Sequence, residues 1–402
     1  MIVSDIRGNA TSTGFELSAQ VVIEQDPREL RRFAFRCEHP AAEIPAFGDP
    51  FLASLLIPCM MLQEDLTIEG PVSLELVEAV QQRTMPLMLR WRPEFSPVSI
   101  EANRAYVPRG LPDSRGTGTC FSGGLDSRYT LEKNLGRITH LVLVEGFDRS
   151  LEAKIPWQNA LDNGRAAAEE LGRSLIVVST NARTSVLRAC GELGRRMGRF
   201  PRDFYRRDYH GSLLVAVGLC LHPLLSELLI PASDPWEELV PWGSHPELDT
   251  SWNTRILRFE HDGCEASRIE KVKRLAAWRP ESLRSLSVCQ DIDRPTSKNC
   301  SRCEKCLRTL SALRLSGVSH LADSFAEPLD LGRVEQIEIP PGNLPVYEQM
   351  RALADEVGDA SLASALDAVL DRRFSWRRFL GRARCRGQKL RSRSRRAPTT
   401  YA

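Results

Sequence analysis

Two stretches of the chain carry residues whose types and spacing can do chemistry. The first is Ser122-Gly123-Gly124-Leu125-Asp126-Ser127. Ahead of it, Thr119, Cys120 and Phe121 read as the end of a buried strand. Behind it, Arg128 to Leu135 has helical spacing closed by Gly136. A strand, a glycine turn and a helix start together make an anion site. Glycine lets the backbone approach closely, amides point outward, and the helix dipole adds positive potential. Ser122 and Ser127 can donate hydroxyls, while Asp126 can cap the helix or help hold a cation. An ordinary tight turn is the plainer reading.

The second stretch sets Cys289, Cys300, Cys303 and Cys306 in the order C-x10-C-x2-C-x2-C. Tight C-x2-C turns bring sulfurs onto one ion, and four thiolates complete a tetrahedral zinc site with no open position, a structural arrangement. Lys298, Arg302 and Lys305 would offset the charge of four thiolates. Redox or persulfide chemistry of a C-x-x-C pair and chance spacing of free thiols are the alternatives.

These residues must be positioned by a chain of 402 residues, long enough for two or three domains, with a hydrophobic fraction of 42% that builds real cores. Its 11 cysteines are scattered apart from the one cluster, unlike a secreted disulfide framework, and the start lacks a signal-peptide pattern. A cytoplasmic protein is expected. The longest apolar run, from Ser212, is broken by His222, Pro223 and Glu227, which predicts a buried helix followed by a strand rather than a membrane span. The net charge of +2 hides an asymmetry: Arg372 to Arg396 holds 12 basic residues and no acid, leaving the remainder acidic. That remainder argues against broad nucleic-acid binding by the core. The basic run suits RNA, DNA, an acidic partner or an anionic membrane, or is simply a solvated terminus.

Along the chain, residues 1–113 read as an α+β domain of unassigned role. "FELSAQVVIE" and "SPVSIEANR" alternate like strands, and "SLELVEAVQQRTMPLML" has helical spacing. A Pro/Gly/Ser linker precedes a second domain, 114–330, in which strands are predicted at 139–148, 174–180, 227–233 and 254–259 between amphipathic helices. That alternation predicts an α/β fold with a parallel sheet covered on both faces. Ser122, Glu145, Ser179 and Asp234 all fall at or just past strand ends, where such sheets bind ligands. A helical segment, 331–371, and a basic tail, 372–402, follow.

No G-x-x-x-x-G-K-[ST] occurs, and Gly116 and Gly118 lack the third glycine of a dinucleotide fingerprint. The hexapeptide resembles, without a mismatch, the S-G-G-x-D-S loop of the N-type ATP pyrophosphatases, the PP-loop enzymes. Their fold is Rossmann-like, of the adenine nucleotide alpha hydrolase type. In that family the loop grips the pyrophosphate part of ATP while a substrate oxygen attacks the α-phosphorus. With the four cysteines and "LRTLSALRLSG" added, residues 116 to 318 resemble the bacterial 7-cyano-7-deazaguanine synthases. Those enzymes turn a carboxylate into an amide and then a nitrile through an adenylated intermediate, using ATP and ammonia.

The resemblance implies ATP and Mg²⁺ at Ser122, Gly123, Gly124, Leu125, Asp126 and Ser127, with Glu145, Gly146 and Phe147 near the adenine or ribose. It implies Zn²⁺ on Cys289, Cys300, Cys303 and Cys306. Where the family has a tyrosine-proline-aspartate-cysteine-arginine segment, this chain reads "VPWGSHPELDTSW". The deazaguanine substrate therefore does not carry over. Asp234, Ser244, His245 and Asp249 become the substrate-site candidates, His245 being equally readable as a packed turn residue. Arg268 and Lys271, three apart on one helix face, are placed with Asp126 and Ser127 as catalytic candidates that meet phosphate or developing charge. The arginines from Arg183 to Arg207, interleaved with Phe200, Phe204 and Tyr205, suit RNA stacking or, preferably, a lid over the site.

The expected activity is carbon–nitrogen ligation of an adenylated small-molecule or peptide substrate, with a protein partner encoded in the same operon and a homo-oligomeric state as further expectations. Three other readings stand beside it. They are a component of a biosynthetic or anti-phage defence operon that modifies a protein or peptide, an RNA-modifying enzyme, and a noncatalytic nucleotide-binding zinc module.

Overall fold

Ten extended runs pair into one sheet: β1 (Ile2–Ala10), β2 (Gly14–Val22), β3 (Arg31–Glu38), β4 (Leu66–Ser73), β5 (Ile100–Tyr106), β6 (Gly116–Cys120), β7 (Ile138–Glu145), β8 (Ser174–Thr180), β9 (Leu225–Pro231) and β10 (Arg258–Asp262). The computed structural model describes residues 1–26, 31–39, 47–106, 114–147, 154–291 and 296–372. The basic run beyond Arg372 and the linker at 107–113 lie outside the described residues. The order across the sheet is β10-β9-β6-β7-β8-β3-β2-β1-β4-β5. Strands β10, β9, β6, β7 and β8 run mutually parallel. Strands β3, β2 and β1 continue antiparallel from β8, and β4 and β5 are again parallel to β1. The fold is α/β with a mostly parallel sheet. The segment 1–113 thus contributes five strands to the sheet that carries the glycine turn.

Both faces of the parallel half are covered, which is why its strands are apolar on both sides. On one face, the helices Leu125–Lys133 and Lys154–Leu171 pack through Phe121, Leu131, Leu141, Ala167 and Leu229. On the other, the helices Asp49–Leu62, Ala182–Arg196 and His210–Cys220 share the main core with Val142, Ile176, Leu228 and Phe259. All residues of the helix Asp49–Leu62 are buried. A helix apolar all round shows no period, so the sequence gives no sign of its type. Strands β1, β3 and β4 were likewise not anticipated.

The apolar run from Ser212 divides as expected into the helix His210–Cys220 and strand β9. No helix among the described residues is long and apolar enough to cross a membrane. Three strand limits differ from the sequence reading. The second parallel strand spans Ile138–Glu145 instead of 139–148. The fourth parallel strand spans Leu225–Pro231 instead of 227–233. The fifth begins at Arg258, not at 254, because Thr254 Oγ1 accepts the amides of Ile256 and Leu257 and turns that segment away from the ladder.

By packing, the chain divides into Met1–Lys298 and Asn299–Ala402. The second unit contains the helices Glu304–Leu315, Leu331–Glu335 and Leu344–Glu356 and a helix at 360–372. Within it, Arg314 forks onto Asp359 with bonds of 2.6 and 2.8 Å.

At the first residue of its buried helix, Asp49 accepts the Ser73 amide at 2.8 Å and lies beside Tyr106 and His222. Burial lifts its carboxyl to about 7, against the pull of the Ser73 amide and Tyr106. A folded-state pKa above the unfolded value near 3.8 contributes stability in acid that is lost as pH rises through 7. Urea denaturation from pH 4 to 9 is expected to show a fall of at most about 4 kcal/mol from this group. Asp49→Asn should remove that component while keeping the Ser73 bond.

Candidate functional site

The glycine turn sits where the sequence placed it, between β6 and the helix Leu125–Lys133. Gly123 takes φ +75°, a left-handed conformation that glycine adopts without strain, and an added Cβ would meet Ser287 Cβ at 3.4 Å. The turn is braced internally. Gly124 N–H donates to Ser122 Oγ at 3.3 Å, and Ser127 Oγ donates to Gly124 O at 3.0 Å. Ser122 Oγ and Ser127 Oγ are 3.4 Å apart. Both hydroxyls therefore converge on the mouth of the turn. A later segment straps it down: Ser287 N–H donates to Gly123 O at 2.8 Å, and Arg128 donates to Ser285 Oγ at 2.7 Å. Burial lowers the Arg128 guanidinium to about 10, with the Arg279 charge adding to the effect and Glu132 and Glu170 opposing it.

Arg268 and Lys271 open the helix Arg268–Trp278, whose start is fixed by a capping box between Ser267 and Glu270. That cap aims both side chains at Asp126. Arg268 Nη2 is 3.4 Å from Asp126 Oδ2, and Lys271 Nζ is 3.3 Å from Asp126 Oδ1. Lys271 is only 1% exposed and donates a second bond to Ala232 O, at 2.6 Å just past β9. Three of the four catalytic candidates, Asp126, Arg268 and Lys271, thus form one charged group beside the fourth, Ser127. Gly263, at φ +108°, passes this ammonium so closely that an added Cβ would lie 3.7 Å from Nζ.

At the end of β7, Glu145 Oε2 accepts the hydroxyl of Ser179 on β8 at 2.7 Å. Gly146 again has a positive φ, and Arg183 donates to the Phe147 carbonyl. These candidates line the strand next to the turn. Asp234 lies three residues past β9.

Ser244 and Asp249 meet, but His245 does something else. Its Nδ1 accepts the Glu247 amide at 3.1 Å and caps the helix Pro246–Ser251, with its ring packed edge-on to Trp91. Asp249 is fully buried; its Oδ2 takes the Ser244 hydroxyl at 2.7 Å and His261 Nδ1 at 2.7 Å. His261 was missed by the sequence reading, because the strand placed at 254–259 ended before it. In β10 it stands opposite Ile230. Burial disfavours its charged form, but the Asp249 bond and charge, together with Cys264, raise it to about 9. Burial and the Asp249 charge push the Cys120 thiol, at the end of β6, up to about 12.

The cysteines converge as well. Ser301, at φ +57°, turns the chain so that Cys303 N–H donates to Cys300 Sγ at 3.3 Å, and Cys303 then caps the helix Glu304–Leu315. Ser301 Oγ is held by the Glu327 backbone at 2.8 and 3.0 Å. Sulfurs of Cys300 and Cys306 are 3.9 Å apart, and those of Cys289, Cys300, Cys303 and Cys306 all lie within 4.8 Å of one another. Four cysteines are positioned to hold a metal ion. Arg302, expected to offset thiolate charge, pairs with Glu327 at 2.7 Å.

No family model, no curated protein and no solved structure matches the chain.

The His261–Asp249 pair gives a signed expectation. A histidine pKa raised by folding contributes stability below its unfolded value near 6.5 that is lost as pH rises through 9. In Asp249→Asn, NMR titration of the His261 imidazole should give a midpoint at or below 6.5. The loss of stability between pH 7 and 10 expected for the wild type should vanish with it.

Proposed function

We propose that the chain is a PP-loop ATP pyrophosphatase, resembling the 7-cyano-7-deazaguanine synthases, that adenylates a carboxylate substrate for carbon–nitrogen bond formation. The observation that carries this reading is the convergence of Arg268 and Lys271 on Asp126, 142 and 145 residues earlier in sequence, at the mouth of Ser122-Gly123-Gly124-Leu125-Asp126-Ser127. Two cations, two hydroxyls, glycine amides and a helix start then lie around one turn, a donor set that would suit a polyphosphate once the internal bonds of Ser127 and Gly124 are exchanged for the ligand.

In this reading a substrate oxygen attacks the α-phosphorus of ATP. Pyrophosphate departs toward the turn, where Ser122, Ser127 and the glycine amides donate to it. Lys271, fixed by Ala232 and Asp126, faces the charge that grows on the phosphates. Arg268 supplies a second positive charge from the same helix face. Mg²⁺ would neutralise the nucleotide's phosphates, and Asp126 would be the carboxylate that helps hold it. Glu145, Gly146 and Phe147 would line the adenine or ribose, and Asp234 and Ser244 the substrate, with the buried Asp249 holding the Ser244 hydroxyl. An amine or ammonia would then displace AMP to give an amide.

The cysteine set fits zinc. Sulfurs bound tetrahedrally at about 2.3 Å stand about 3.8 Å apart, against 3.9 Å for Cys300 and Cys306. All four are soft thiolate donors, which favour zinc over oxygen-seeking cations. Bound there, zinc would cross-link the segment between Cys289 and Cys306.

The test is to incubate protein with ATP, Mg²⁺, ammonium and a metabolite extract, following AMP and pyrophosphate. Both should appear with the wild type and fall at least about 100-fold in Asp126→Ala, the scale of losing one positioned charge at a reacting phosphate. Release of ADP and phosphate would overturn adenylation. Elemental analysis should find one zinc per chain, lost together with several degrees of Tm in Cys300→Ser; full zinc retention in that variant would refute the ligand assignment.

A further inference from the structure

Residues 183–207 hold eight arginines against two acids, Glu192 and Asp203. The structure sorts these arginines into those already engaged and those that are not. Arg183 donates to the Phe147 carbonyl and lies 4.2 Å over the Tyr205 ring. Arg196 pairs with Asp26, Arg199 donates to Leu62 O, and Arg207 pairs with Glu94 and Asp208. Arg188, Arg195, Arg202 and Arg206 remain exposed and form no ion pair among the described residues, Arg195 lying over the Phe200 ring.

Arg188 and Arg195 are seven residues apart on the helix Ala182–Arg196, so they share a face about 10 Å long, on which the exposed Glu192 falls between them as the one acid. Arg202 lies in the turn that follows and Arg206 in the helical turn Tyr205–Tyr209, both exposed. What accompanies the charge decides its partner. The exposed large apolar residues of the described chain are Leu74, Trp236, Val240, Trp242, Trp278 and Val357, none of them in this stretch. Phe204 is buried, while Phe200 and Tyr205 are covered by the chain's own Arg195 and Arg183. A membrane-inserting face or a protein hot spot needs exposed apolar anchors, and base stacking needs open rings. Unpaired guanidinium forks without them fit phosphates in a row.

We propose that Arg188, Arg195, Arg202 and Arg206 form a surface that binds the phosphodiester backbone of a nucleic acid without reading its bases. The surface is independent of the proposed ATP chemistry, and its test uses no nucleotide turnover.

The full chain would be titrated with a fluorescent single-stranded 20-nucleotide RNA, the DNA of the same sequence, and phosphatidylcholine–phosphatidylserine vesicles, across a series of NaCl concentrations. Its partner in the comparison is the full chain carrying R188E, R195E, R202E and R206E. The basic run 372–396 is present in both proteins, so it cancels in the comparison. Four lost phosphate contacts should flatten the slope of log affinity against log salt by about 3 and weaken binding at least about tenfold at low salt. Four Arg→Lys changes should keep most of the binding, and matched thermal melts check folding, with Arg→Gln as the substitute set if the glutamates unfold the chain. Binding of RNA and DNA alike supports a pure phosphodiester surface, and preference for RNA supports one that also meets the 2′-hydroxyl. Equal affinity and slope in wild type and variant, or a loss confined to vesicles, would overturn the proposal.

Discussion

A lysine ammonium that is 1% exposed has to be held on all sides, and Lys271 is the point on which the site turns. A buried charge left alone costs several kcal/mol. Here Ala232 O and the Asp126 carboxylate receive it, and Tyr129 offers its ring 5.7 Å away. These contacts tie together three separate parts of the chain: the carboxyl end of β9, the helix after the glycine turn, and the capped helix at Arg268. Asp126 is thereby fixed at the start of its own helix, and the glycine turn is fixed with it. Removing Asp126 would leave the Lys271 ammonium without its counter-charge in a low-dielectric interior.

The sheet explains why this meeting happens beyond β6 and β9. Those strands are parallel neighbours, so their carboxyl ends lie side by side, and every connection between them crosses over a face. The helix Leu125–Lys133 returns over one face and the helix His210–Cys220 over the other, and the edge between them receives Asp126, Ala232, Gly263 and Lys271. The Asp249–His261 pair occupies the face of the main core near the same edge. Gly211 makes room for it: an added Cβ there would sit 2.1 Å from Gly243 O and 2.9 Å from Asp249 Oδ1.

The segment 1–113 has a different relation to the turn. It adds strands to the sheet through the antiparallel pairing of β3 with β8, and its helix Asp49–Leu62 fills the core against the helix His210–Cys220. Its own polar feature, Asp49 beside Tyr106 and His222, lies at the carboxyl ends of β4 and β5. This half of the sheet is therefore bound to the other by main-chain pairing, by apolar packing and by polar ties that include the buried Arg92–Asp208 pair, the Asp26–Arg196 pair and the Tyr209 hydroxyl on Ser54 O.

By itself the sequence determined what local chemistry writes plainly. The strand, glycine turn and helix start at Ser122–Ser127, the C-x2-C turns, the α/β alternation and the shared face of Arg268 and Lys271 were legible, because each depends on residues within a few positions of one another. The structure alone decided what depends on partners far along the chain. Thr254 drew amides out of a predicted strand and moved β10 toward His261; a featureless apolar run became the central helix Asp49–Leu62; and His245 became a cap while Asp249 chose His261. Burial and hydrogen-bond competition settle these outcomes, and both are properties of the packed chain. A spacing of residues states which side chains can share a face, but only the finished sheet brings Asp126 and Lys271 to the same edge.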